Sequence, residues 1–134
     1  MAKTYNIFIS HSWDHSDDLK SLYKLLDSRN YFFYKPNEAT KEEPINSENA
    51  KYIKSVLKRR IENSNIVLAL AGIYTSHSDW MKWEIETAKE LDIPIVGIIP
   101  RGQERISRVV FDNSIVNVRW NTESIVQAIR EYAK

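Results

Sequence analysis

The chain contains no cysteine. Disulfides, thiolate metal sites and a cysteine nucleophile are therefore excluded, and the composition fits a reducing compartment. Glycine is scarce: only Gly72, Gly97 and Gly102 occur, so most turns have to be built from other residues. There is no Gly-x-Gly-x-x-Gly fingerprint for a dinucleotide and no Gly-x-x-x-x-Gly-Lys phosphate loop. No apolar run approaches the roughly 18 residues of a membrane span. Neither sign of charge dominates. Lys+Arg number 19 and Asp+Glu 18, a net charge of +1, which argues against a nucleic-acid binder held by bulk charge. Met1 to Thr4 lead straight into a strand pattern, so no signal peptide is expected. A soluble cytoplasmic protein is the expectation. What is present is ordinary for a globular domain: 43% hydrophobic and 28% charged residues, so disorder is not expected. The length of 134 residues suits a single domain over 1–134.

The apolar pattern alternates between strand and helix periods. Tyr5 to Ile9 reads as a buried strand. A helix follows from a cap at Asp14 or Ser16 to about Arg29, with Leu19, Leu22, Leu25 and Leu26 on one face. Tyr31 to Tyr34 reads as a second strand and Lys35 to Ser47 as a loop broken by Pro36 and Pro44. A helix near Glu48–Asn63 turns Tyr52, Ile53, Val56, Leu57 and Ile61 inward. Ile66 to Ala71 is the most apolar run and should be a central parallel strand, buried on both faces. Gly72 to Asp79 is a loop, Trp80 to Leu91 a helix, and Pro94 to Ile99 a fourth strand. Arg101 to Asn113 reads as irregular with room for one helical turn. Ile115 to Val118 is a fifth strand, and Thr122 to Tyr132 a last helix with Ile125, Ala128 and Ile129 inward. This strict alternation implies an α/β, three-layer, flavodoxin-like fold, with a five-stranded parallel sheet in the order 2-1-3-4-5 and helices on both faces. A ligand is expected outside the carboxyl ends of strands 1 and 3, where the chain order switches.

Two loops flank that switch point, Ser10 to Asp14 and Gly72 to Asp79. Trp13, Trp80 and Trp83 lie in or just after them, and Trp120 follows strand 5 on the same edge. Such rings either close the end of the sheet or offer flat partners for a base. In the helix from Trp80, the stripe Met81, Ile85, Ala88 should face the sheet, with Trp80 and Glu84 on the neighbouring face and Ser78 or Asp79 as cap. Glu84 then stands either beside the crevice or exposed next to Lys82 or Lys89. Other clusters point to less. His11 and His15 have no third ligand nearby, so no metal is expected. Asp14, Asp17 and Asp18 suggest a receiver-type acidic pocket, but Ala71-Gly72 stands where its partner carboxylate belongs. Lys58-Arg59-Arg60 reads as a solvated helix face.

Tyr5-Asn6-Ile7-Phe8-Ile9-Ser10-His11 resembles the first-strand motif of Toll/interleukin-1 receptor (TIR) domains. Ser78-Asp79-Trp80-Met81-Lys82-Trp83-Glu84 resembles their Ser-x-Trp-x-x-x-Glu motif. Length and element order extend the likeness over nearly the whole chain. Asn6 replaces the common aspartate, Met81 stands where many relatives have cysteine, and the loop after strand 2 lacks a glycine-rich tip. The chain looks like the stand-alone prokaryotic type, similar to the Thoeris-like TIR proteins of antiphage defence. That resemblance implies an enzyme that cleaves NAD at the nicotinamide–ribose bond, giving ADP-ribose or a cyclic or linear derivative that signals to a separate effector protein. It implies Glu84 as the catalytic carboxylate, and Ser10, His11, Trp13, Ser78 and Trp80 as substrate-binding residues. NAD is then substrate, with no cofactor, nucleic acid or membrane involved. TIR–TIR self-association is a further expectation.

The chemistry suits a carboxylate. Breaking the bond develops oxocarbenium-like charge on the ribose. A free glutamate titrates near 4.3 and is ionised at neutral pH. At about 4 Å and an effective dielectric near 20, its attraction for that charge is roughly 4 kcal/mol, about a thousandfold in rate. Water or the adenine can then attack. Three other readings stay open: a non-catalytic TIR module acting by self-association, a nucleoside deoxyribosyltransferase-like enzyme, and a flavin-binding flavodoxin-like sheet.

Overall fold

A computed structural model of the chain describes residues 3–10, 16–38, 48–70, 79–99 and 108–134. Within them five strands alternate with five helices: β1 (Thr4–Ser10), α1 (Ser16–Asp27), β2 (Phe33–Glu38), α2 (Ala50–Glu62), β3 (Ile66–Leu70), α3 (Asp79–Glu90), β4 (Ile95–Ile98), α4 (Arg108–Asn113), β5 (Val116–Val118) and α5 (Thr122–Tyr132). The sheet is parallel throughout and runs β2-β1-β3-β4-β5. This is the expected α/β, flavodoxin-like order. Among the described residues no helix is long and apolar enough to cross a membrane.

Period-two alternation divides the core into two layers. Ile7 and Ile9 of β1, with Ile66, Leu68 and Leu70 of β3, pack against Leu19, Leu22 and Leu26 of α1 and Ile125, Val126 and Ile129 of α5. Phe8, Val67 and Ala69 point the other way. They meet Leu57 and Ile61 of α2, Ile85 and Ala88 of α3, and Val110 of α4. All five residues of β3 are buried, as a central parallel strand requires. The basic run falls on solvent as expected: Lys58 and Arg59 are exposed and Arg60 is half-buried.

Three local expectations need correction. The second strand begins at Phe33, not Tyr31, because Tyr31 takes a left-handed φ of 63° and is exposed. It also continues through Pro36 to Glu38. An edge strand tolerates proline because one side of its ladder faces away from the sheet. Tyr52 points to solvent, while Leu57 and Ile61 carry the buried stripe of α2. The helical turn allowed before β5 is present as α4. The scarcity of glycine has the anticipated result: Tyr31 and Asp92, with φ of 63° and 57°, make the turns into β2 and β4. Asparagine side chains hold other joints. The Asn6 N–H donates to Asn65 Oδ1 at 2.8 Å, tying the start of β3 to β1.

Candidate functional site

The site grows out of the register of β1 against β3. Ser10 is the last residue of β1 and pairs with Ala69. Its parity matches Phe8, so its side chain projects onto the face where α2 and α3 pack. The neighbour it meets there from β3 carries only a methyl group. Across that face, α3 presses Met81, Ile85 and Ala88 against the sheet, all of them buried. Glu84 lies between Met81 and Ile85 in sequence and is drawn down with them.

Glu84 is 1% exposed and Ser10 is fully buried. The Ser10 hydroxyl donates to Glu84 Oε1 at 2.7 Å, joining residues 74 apart in sequence. Glu84 Oε2 is sealed from solvent as well. Glu84 is therefore not the exposed carboxylate facing Lys82 or Lys89; the Lys89 ammonium instead donates to Asn113 Oδ1 at 3.1 Å. An ionisable group buried at the switch point of an α/β sheet is an unusual expense for a small domain, and such groups collect at functional sites.

Trp80 is half-buried one turn before Glu84. Its ring meets Trp83 edge-on, with centroids 6.1 Å apart and planes at 83°. The Lys54 ammonium of α2 sits 5.9 Å over the Trp83 ring, a cation–π contact. Trp120 does not join this group. It packs against the layer formed with α1 and α5, while Trp80 and Trp83 pack against the layer formed with α2, α3 and α4. Trp120 thus stands on the opposite face of the sheet from Trp80 and Trp83. His11, Trp13 and Ser78 lie outside the described residues; of the other three anticipated site residues, Ser10 and Glu84 are joined by a hydrogen bond, and Trp80 stands one turn before Glu84 on α3.

The direct Ser10–Glu84 bond and the Lys54–Trp83 contact were missed in the sequence. The parity of Ser10 with Phe8 was the available signal for the first. A separate cleft of about 460 Å³ opens at the opposite edge of the sheet, at the start of β4 and β5, between Lys89, Asp92, Pro94, Ser114 and Tyr132. It shares no residue with the Ser10–Glu84 site.

Comparison with known proteins places the chain in a family. Residues 8–105 match the family described as Thoeris protein ThsB, TIR-like domain. Over 126 residues the chain is 25% identical to TIR2 of Cytobacillus dafuensis, a candidate cyclic ADP-D-ribose synthase, with 90% of this chain and 32% of that protein covered. The chain thus spans about a third of that relative's length. A 2-deoxyribosyltransferase from Bacillus psychrosaccharolyticus has a TM-score of 0.62 at 11% identity, covering 90% of this chain and 89% of its own. The CMP N-glycosidase BcmB of Clostridium botulinum has a TM-score of 0.57 at 12% identity, covering 93% and 98%. At such identities these two structures show a common fold.

Proposed function

This chain belongs to the Thoeris ThsB TIR-like domain family, and from that premise we propose that it consumes NAD by breaking the bond between nicotinamide and ribose, with Glu84 as the catalytic carboxylate. The observation that carries the reading is the burial of Glu84 against Ser10 at the carboxyl end of β1. The likeness to the candidate synthase TIR2 supports it.

In the proposed reaction the C1′–N bond breaks heterolytically. Its electron pair leaves with the pyridine nitrogen, so nicotinamide departs neutral and the ribose takes up positive charge. Glu84 faces that charge and stabilises it without forming a bond. Shielding from water strengthens the attraction beyond what a surface carboxylate achieves. Because Glu84 is buried, the ribose must displace the groups that cover it. Attack by water, with loss of a proton, gives ADP-ribose. Attack by an adenine nitrogen gives a cyclic product. Either serves as a diffusible signal for a separate effector, consistent with a role in antiphage defence. Trp80 walls the pocket beside the carboxylate, and His11, Trp13 and Ser78 complete the nucleotide contacts. Self-association through TIR–TIR contacts is part of the same proposal.

The test is Glu84→Gln, which keeps shape and removes charge. Purified parent and variant are incubated with NAD over a range of protein concentrations, and nicotinamide release is followed by chromatography. The variant should lose roughly a thousandfold in rate, from about 4 kcal/mol of charge stabilisation. Equal release by both proteins, with matching circular dichroism, removes Glu84 from catalysis. Assembly of the parent with no release at any concentration leaves only a docking module. A deoxyribosyl adduct after incubation with deoxynucleosides would instead mark a transferase.

A further inference from the structure

Resting on the reading of Glu84 as the catalytic carboxylate, we infer that Ser10 is a positioning residue, whose hydroxyl fixes the orientation of Glu84 and does not itself touch the nucleotide. The sequence suggested a direct contact between Ser10 and substrate. The geometry points elsewhere. Ser10 is fully buried, and a serine hydroxyl has a single proton to give. That proton is committed to Glu84 Oε1 at 2.7 Å.

A glutamate side chain has three rotatable bonds, and the last is broad and poorly defined on its own. A donor on Oε1 removes that freedom and sets the plane of the carboxylate. The donor is itself anchored. β1 is hydrogen-bonded on both sides, to β2 and to β3, and Ser10 follows the fully buried run Ile7 to Ile9. The chemistry of the donor also suits the task. A lysine or arginine at this place would hold the carboxylate by neutralising it, and so blunt its attraction for a developing cation. A hydroxyl holds it while adding no charge.

The experiment is a double-mutant cycle on the full chain: parent, Ser10→Ala, Glu84→Gln and the pair combined. NAD turnover is read as kcat and KM, and NAD affinity is measured by calorimetry in the Glu84→Gln background, where turnover does not interfere. Ser10→Ala should lower kcat about 10- to 100-fold, the loss expected for one hydrogen bond to a charged group. KM should stay within about twofold. In the Glu84→Gln background the same change should cost no further rate and leave affinity within about twofold, because residues that act as a unit are not additive. Ser10→Cys, which retains a weak donor, should recover part of the lost kcat. If Ser10→Ala fails to fold, Ser10→Cys carries the same comparison.

An affinity loss of tenfold or more on adding Ser10→Ala to Glu84→Gln would make Ser10 a substrate contact and overturn the inference. A fully additive loss of rate would do the same. Undiminished NAD turnover by Glu84→Gln is a different failure. It would remove the catalytic reading, and the inference with it.

Discussion

Gly97 tests how tightly the β4–β5 half of the molecule is packed. A Cβ added there would overlap Asn117 Oδ1 outright and stand 2.7 Å from Val110 Cγ1 and 3.1 Å from Ser114 Oγ. Carbon atoms in contact sit at about 3.5–4.0 Å, so Val110 is roughly 1 Å too close. Val110 is fully buried on α4, and its β-branch leaves it one preferred rotamer in a helix. Ser114 is tied by its hydroxyl to the Val110 carbonyl at 2.6 Å. Relief therefore needs a shift of α4 together with rotation of Asn117. Overpacking of this kind costs about 2–3 kcal/mol, and the stiffer unfolded chain of an alanine variant returns about 0.5–1 kcal/mol. Gly97→Ala should lose about 1.5–2 kcal/mol in urea unfolding, or about 5–10 °C in melting temperature for a chain of this length. Val110→Ala, which deletes the clashing methyl, should make the double variant about 1 kcal/mol more stable than the two single losses sum to. Because β4 is separated from β1 by β3, the proposed NAD turnover, measured well below the melting point, should match the parent. Stability of Gly97→Ala within 0.5 kcal/mol of the parent, or strict additivity with Val110→Ala, would refute the packing argument.

Tyr34 gives a pH-dependent signal. Burial first, and then the hydrogen bond and charge of Asp27, raise its phenol above the ordinary value near 10; the hydroxyl donates to Asp27 Oδ1 at 2.7 Å. The folded state then holds this proton longer than the unfolded one. Its stabilisation is complete below about pH 10 and fades as pH climbs through the folded value. Urea midpoints of the parent should fall above about pH 10, and Tyr34→Phe should flatten that fall; parallel curves would show that Tyr34 is not responsible. At the other end of the chain, Asn121 caps α5 by accepting from the Ser124 N–H at 3.0 Å. Asn121→Ala should cost about 1 kcal/mol with an unchanged denaturant slope, while Asn121→Asp should match the parent.

The fold was legible wherever a side chain's surroundings follow from its near neighbours in sequence. The apolar runs at Ile7–Ile9 and Ile66–Leu70 marked the central strands, and alternation with helical stripes fixed the layer order. Errors arose where a single residue's angle mattered. Tyr52 lies five positions from Leu57, about 140° around the helix, and so cannot share its stripe. Tyr31 looked like strand by composition, yet its left-handed φ places it in the turn. The site was legible only in part. Glu84 and Ser10 could each be marked from motif and spacing, but whether they meet depends on β1 lying beside β3, on strand register and on the rotation of α3. None of these is written in a local window.

That dependence also explains why the pair belongs to this topology. In the order β2-β1-β3-β4-β5 the strand after β1 lies at one edge and the strand after β3 lies toward the other, so the neighbours β1 and β3 share no crossover. The last residue of β1 is therefore free to meet the helix that follows β3. Ser10 has the parity of Phe8 and faces α3. A change of one residue in the register of β1 would send its hydroxyl to the layer with α1 and α5. Glu84 in turn is carried inward by its apolar neighbours Met81 and Ile85. Stability alone would favour a hydrophobic side chain at such a position, since removing a carboxylate from water is costly. A buried carboxylate at this point, met by an uncharged donor from the central strand, is the arrangement that the proposed cleavage of NAD requires against a transient cation.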